Sequence, residues 1–118
     1  MKLGFNQKVD SPLESEVTAD IVTIALGGVS RAFTFDIRVV GLDITSAGSC
    51  GFQLFGTVRT DGVTATVVGI PDKINNQEAI LNATDANLVV SGNNAIVRVL
   101  GQAGQTINWA VFAVYVFI

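Results

Sequence analysis

A chain of 118 residues has room for one domain and for no second core of ordinary size. Hydrophobic residues make up 49% of it and charged residues 14%, against about 25% charged in an average soluble domain, and the mean hydropathy is +0.51. A small monomer needs polar groups to cover its surface, so the deficit suggests that much of the outer surface is covered by something else, for which lipid or further copies of the chain are the candidates. The net charge of −3 with seven scattered basic residues lacks the basic stripe that draws nucleic acid. The single Cys50 rules out a disulfide framework and suits folding in a reducing cytoplasm.

Lipid is the weaker explanation. The longest apolar run, Trp109 to Ile118, is ten residues, half of the roughly 20 that span a bilayer as helix. Met1-Lys2-Leu3-Gly4 opens no apolar stretch, so no signal peptide is expected. A membrane barrel needs many more strands. Copies of the same chain are the expected cover, and no membrane partner is expected.

In chain order, residues 1–18 hold Lys2, Lys8, Asp10, Glu14 and Glu16, five of the seventeen charges, with Ser11 and Pro12 breaking any regular element. This stretch reads as an arm that docks on a partner, ahead of a domain over 19–118. Ile21 to Leu26 is a β-branched run closed by Gly27-Gly28. Arg31 to Leu42 alternates, with Phe33, Phe35, Ile37 and Val39 on one side and Thr34, Asp36 and Arg38 on the other. Gly51 to Arg59 is a third strand, and Asp61-Gly62 turns it into Val63 to Val68.

Pro71 to Thr84 reads as irregular, with room for a short strand near Glu78 to Leu81. Asn87 to Ser91 and Ala95 to Leu100 flank the turn Gly92-Asn93-Asn94, and Gly101 to Gln105 leads into a final strand, Thr106 to Ile118. No segment has a helical period. Six or seven strands at this spacing predict an all-β fold, an antiparallel β-sandwich or jelly roll.

The final strand is apolar on both faces. Ile107, Trp109, Val111, Tyr115 and Phe117 share one side; Phe112, Val114, Val116 and Ile118 share the other. Antiparallel sheets with a wet side avoid that pattern. Either the strand is covered twice within one chain, or one of its faces meets a neighbouring subunit. The second alternative names Trp109, Phe112, Val114, Tyr115, Val116, Phe117 and Ile118 as candidate subunit-interface residues. Asp36 and Arg38 read as a solvated or cross-strand pair, or as an intersubunit ion pair.

Catalytic constellations are scarce. The chain has no histidine, which removes the commonest general base and metal ligand and any Cys–His pair or Ser–His–Asp triad. No spacing fits a zinc site, and the glycine turns precede no helix that could cradle phosphate. Scattered carboxylates read as a solvated surface, and no catalytic, cofactor or metal residues are assigned. Asn75, Asn76, Gln77 and Asn82 offer amide groups suited to sugar hydroxyls, which makes the segment around them a candidate host-glycan loop.

Val90-Ser91-Gly92-Asn93-Asn94, then Ile96-Val97-Arg98-Val99, then Gly101-Gln102-Ala103-Gly104-Gln105-Thr106-Ile107-Asn108-Trp109 resembles the C-terminal β-domain of tailed-bacteriophage virion structural proteins, of fibre-tip or head-decoration type. Thr23 to Leu26 and Phe35 to Val40 are similar to the start of that domain, so the resemblance runs from about Thr18 to Ile118. It implies a non-enzymatic homotrimer on the virion exterior, assembled in the host cytoplasm. The short arm, with no long shaft before the domain, favours a capsid decoration or cement protein over a whole tail fibre. The arm would meet the major capsid protein or another virion component. The alternative is a host-glycan or receptor-binding module of a tail fibre.

Overall fold

The computed structural model describes the backbone of residues 2–10 and residues 17–118 in full. Eight strands follow in order: β1 (Lys2–Asp10), β2 (Thr18–Ala25), β3 (Arg31–Asp43), β4 (Ser49–Thr60), β5 (Ala65–Gln77), β6 (Asp85–Ser91), β7 (Asn94–Leu100) and β8 (Thr106–Phe117). The described residues contain no α-helix, only a 3-10 turn at Ala79–Leu81. The strands form two antiparallel sheets, β1-β8-β3-β4-β5 and β2-β7-β6. The all-β, sandwich-like architecture read from the alternation is what forms, with β3, β4 and β5 running as a meander inside the larger sheet.

Alternation in β3 sets the inside. Phe33, Phe35, Ile37 and Val39 are buried, and their intervening neighbours face away. From the smaller sheet Val22, Ile24, Leu88, Val97 and Val99 meet them, so both sheets feed one core. Two glycines on the inward side make that core fit. A Cβ on Gly41 would stand 2.8 Å from Cys50 Sγ and 2.9 Å from Trp109 Cζ3, and one on Gly56 would stand 2.7 Å from Leu88 Cδ2. The missing side chains are the space that the indole and the leucine fill.

Turn chemistry follows the sequence signals. Gly62 takes φ 98, and Asp61 Oδ1 accepts the N–H groups of Val63 at 2.9 Å and Thr64 at 2.8 Å. Those two bonds hold the Asp61 carboxyl below its ordinary range. Gly92 takes φ 56 between β6 and β7. Asn93 then ties three turns at one end of the sandwich: its amide donates to Gly27 O at 2.6 Å, its Oδ1 accepts the Thr60 hydroxyl, and its carbonyl accepts Leu26 N–H.

At the opposite end the β3–β4 loop closes on Asp43, whose side chain is fully buried. Thr45 N–H donates to Oδ1 at 2.8 Å and the Ser46 hydroxyl to Oδ2 at 2.5 Å. The Gln105 amide, oriented as its donors and acceptors require, adds Nε2 to Oδ2 at 2.6 Å. Burial pushes the carboxyl up, and the bonds from Ser46 and Thr45 outweigh it, so the acid sits below its ordinary value.

Two readings of the chain are corrected. The stretch 71–77, expected to be irregular, continues β5 to Gln77, and the short strand expected near Glu78 to Leu81 is the 3-10 turn. Pro71 is accommodated because β5 is an edge strand carrying an irregularity: Gly69, Ile70 and Pro71 stand opposite Gly56 alone, between the pairs Phe55–Asp72 and Thr57–Val68. The arm expected over residues 1–18 lies partly outside the described residues, at 1 and 11–16. Within it, Lys2 to Asp10 is β1, paired with Val114 to Thr106 of β8.

Candidate assembly surface

The larger sheet has five strands and the smaller three, so one face of the larger sheet packs on the core and the other meets no element among the described residues. β8 shows how its residues are divided. Ile107, Trp109, Val111, Ala113 and Tyr115 point inward and are buried. Phe112, Val114 and Val116 point outward, and Ile118 follows the strand at 90% exposure.

The seven side chains expected at a subunit interface therefore separate. Trp109 (fully buried) and Tyr115 (7% exposed) belong to the chain's own core. They cannot meet a neighbour, because the smaller sheet already covers their face. The Tyr115 ring packs tilted at 5.2 Å from Phe35 and 6.0 Å from Phe33, and Trp109 lies 6.4 Å from Phe52. Phe112, Val114, Val116, Phe117 and Ile118 remain at the surface. Phe117 shares the inward parity but lies at the open end of the sandwich, half exposed, with the Arg31 guanidinium 5.0 Å above its ring.

Sequence reasoning limited to the final strand missed how far this face extends. Val40 and Leu42 of β3, Phe55 of β4, and Val68 and Ile74 of β5 are exposed on the same side. For β3 and β4 their signal was present in the alternation, since the inward positions there are also apolar; around Ile74 of β5 the inward neighbours are the polar Lys73 and Asn75. Polar groups are interleaved. The Thr34 and Thr57 hydroxyls lie 3.2 Å apart, and Asp36 and Arg38 stand two residues apart on the central strand.

Of the candidate glycan residues, Asn75, Gln77 and Asn82 are linked by hydrogen bonds, and Asn76 stands apart from them. Asn75 pairs opposite the inward Phe52 and Asn76 opposite Gly51, so their side chains leave opposite faces of β5. The Asn75 amide donates to Gln77 Oε1 at 2.9 Å. Gln77 Nε2 is taken up by Thr84 O at 2.6 Å and Leu81 O at 3.3 Å, pinning the 3-10 turn, and Asn82 ends that turn. Beside them Lys73 clamps the two sheets, donating at 2.6 Å to Asp85 and 2.8 Å to Asn87 on β6. Burial raises the Asp85 carboxyl, and the bonds from Lys73, the Ala86 N–H and Asn87, with the Lys73 charge, together more than reverse that.

Cys50 is buried, and burial pushes its thiol above the ordinary value despite bonds from Thr84 and Gly41. A thiol held protonated in a closed core is a packing group. No three of His, Cys, Asp and Glu converge to hold a metal among the described residues.

Fold and surface together define a class: a two-sheet, sandwich-like antiparallel β protein with an apolar outer sheet face. In comparison with known proteins, no family model, curated protein or solved structure matches this chain.

Proposed function

We propose that the chain is a non-enzymatic structural protein, a homotrimeric subunit of decoration, cement or fibre type on the exterior of a virion. The observation that carries the assembly reading is the outer face of the five-stranded sheet. Val116 at 69%, Ile74 at 55% and Val40 at 53% exposure stand there beside Phe112 and Phe55. Apolar area of that extent on a small chain is the mark of an interaction surface. The particle and the three-fold symmetry come from the resemblance to phage virion proteins. In this reading β1 is the docking element. It forms one edge of the larger sheet, and a free strand edge suits strand addition to the major capsid protein or another virion component.

The mechanism is burial of area. Each apolar Å² removed from water contributes about 25 cal/mol before the costs of association, and three linked docking strands add avidity. Native mass spectrometry of the isolated chain, with and without residues 1–18, tests this reading. A trimer from the full chain is the expected result. A chain that stays single and freely soluble at high concentration overturns it.

A further inference from the structure

The outer face carries an ordered charge pattern as well as apolar area. Followed by strand register, the row Val114–Asp36–Phe55–Asp72 lies directly beside the row Phe112–Arg38–Gln53–Ile74. Asp36 and Arg38 occupy the middle strand of the five. The ion pairs among the described residues are Lys73–Asp85 and Arg98–Asp20, and neither involves these two. Asp36 accepts one long bond, 3.4 Å, from Gln53 Nε2. An acid and a base thus stand next to each other among apolar side chains, both directed off the sheet and neither in an ion pair with another described residue.

We infer that this face is covered by further copies of the same chain, with Asp36 of one copy against Arg38 of the next. The inference rests on the assembly reading above and names its contact. Three features of the face select a copy of itself as the occupant. The first is charge complementarity. Each chain offers one acid and one base at adjacent positions, so every copy supplies what its neighbour lacks and the pairing closes around a ring. In a three-fold ring the β3 strands run in the same direction, and an arginine side chain spans the two-residue step of about 6.6 Å to the neighbouring carboxylate.

The second is balance. On β3, β4 and β5, Arg38 and Arg59 are matched on this side by Asp36 and Asp72. A nucleic acid or a strongly charged protein partner would call for one sign in excess. The third is area. Five strands at about 4.8 Å spacing and about ten residues each at 3.3 Å give roughly 800 Å², the share that each partner contributes to a standard stable interface. Val40, Phe55, Ile74, Phe112 and Val116 would form the dry part of the contact, and the Asp36–Arg38 pairs would fix its register.

Native mass spectrometry of the full chain across a dilution series tests this, with circular dichroism to confirm that each variant keeps its β structure. Arg38→Asp and Asp36→Arg each leave like charges facing across the contact, and each is expected to raise the dissociation midpoint at least about tenfold. The double variant Asp36→Arg/Arg38→Asp restores opposite charges in reversed order and is expected to return the midpoint to near the unsubstituted value. A wild-type oligomer whose midpoint is unmoved by either single variant overturns this contact and leaves the assembly reading standing. Loss in the single variants without recovery in the double variant also overturns the charge register. A wild-type chain that never associates overturns both.

Discussion

The two faces of the five-stranded sheet both carry large apolar side chains, and these have opposite fates. On the inner face Phe35, Ile37, Leu54, Val58, Ile107 and Trp109 are closed off almost completely by the three-stranded sheet. On the outer face Val40, Phe55, Ile74, Phe112 and Val116 have comparable hydropathy and stay open. Three features separate them. The inner face has glycine slots at Gly41 and Gly56 that admit a neighbour's bulk. It also has a buried acid, Asp43, whose donors all come from its own chain. On the outer face Asp36 accepts a single long bond from Gln53, and neither it nor Arg38 is in an ion pair among the described residues. The core is closed by packing, with Trp109 Nε1 its buried side-chain polar atom lacking a partner among the described residues, while the outer face is left open.

That contrast can be broken most severely at Trp109. Trp109→Ala empties the centre of the inner face and is expected to cost about 3–5 kcal/mol of subunit stability, read as a lower urea midpoint at fixed chain concentration. A loss no larger than that of an outer-face substitution would mean that the indole is not the core side chain described above.

Asp43 tests whether the polar part of the inner face is equally settled. Asp43→Ala orphans the Thr45 and Ser46 donors and is expected to cost about 1–3 kcal/mol. Its carboxyl titrates below the unfolded value. The stabilisation is therefore complete above the ordinary aspartate range of about pH 4 and is lost as pH falls through the lower folded value. Thermal melts of wild type and Asp43→Ala should converge in strong acid and separate near neutrality. A separation that does not change with pH would remove the ionised carboxylate from the explanation.

The smallest expected effect belongs to the outer face. Val116→Ser, measured below the concentration at which copies associate, should shift folding stability by less than about 0.5 kcal/mol. At higher concentration it should weaken association. A large folding defect in the dilute chain would place Val116 in a core and erase the distinction between the faces.

Much of this could be read along the chain. The alternation in Arg31 to Leu42 assigned Phe33 to Val39 to one face, and Asp61-Gly62 and Gly92-Asn93 marked turns at the positions where they occur, because both signals are local. Pro71 was misleading. A proline breaks a central strand, and nothing nearby announced that β5 would be an edge strand with spare residues opposite Gly56. Lys2 to Asp10 was also hidden, since its pairing partner lies about a hundred residues away in β8. The Asn-rich segment promised a convergent amide cluster, and strand parity sent Asn75 and Asn76 to opposite sides.

Sequence alone determined that the chain is all-β, poorly charged and apolar on both sides of its last strand. A period of two separates the faces of a strand, but it carries no information about which face meets a partner or how far away along the chain that partner lies. Only the tertiary structure decided that Trp109 and Tyr115 go inside while Phe112 and Val116 stay out. The physical reason is that three strands can cover one side of a five-stranded sheet and leave the other side uncovered.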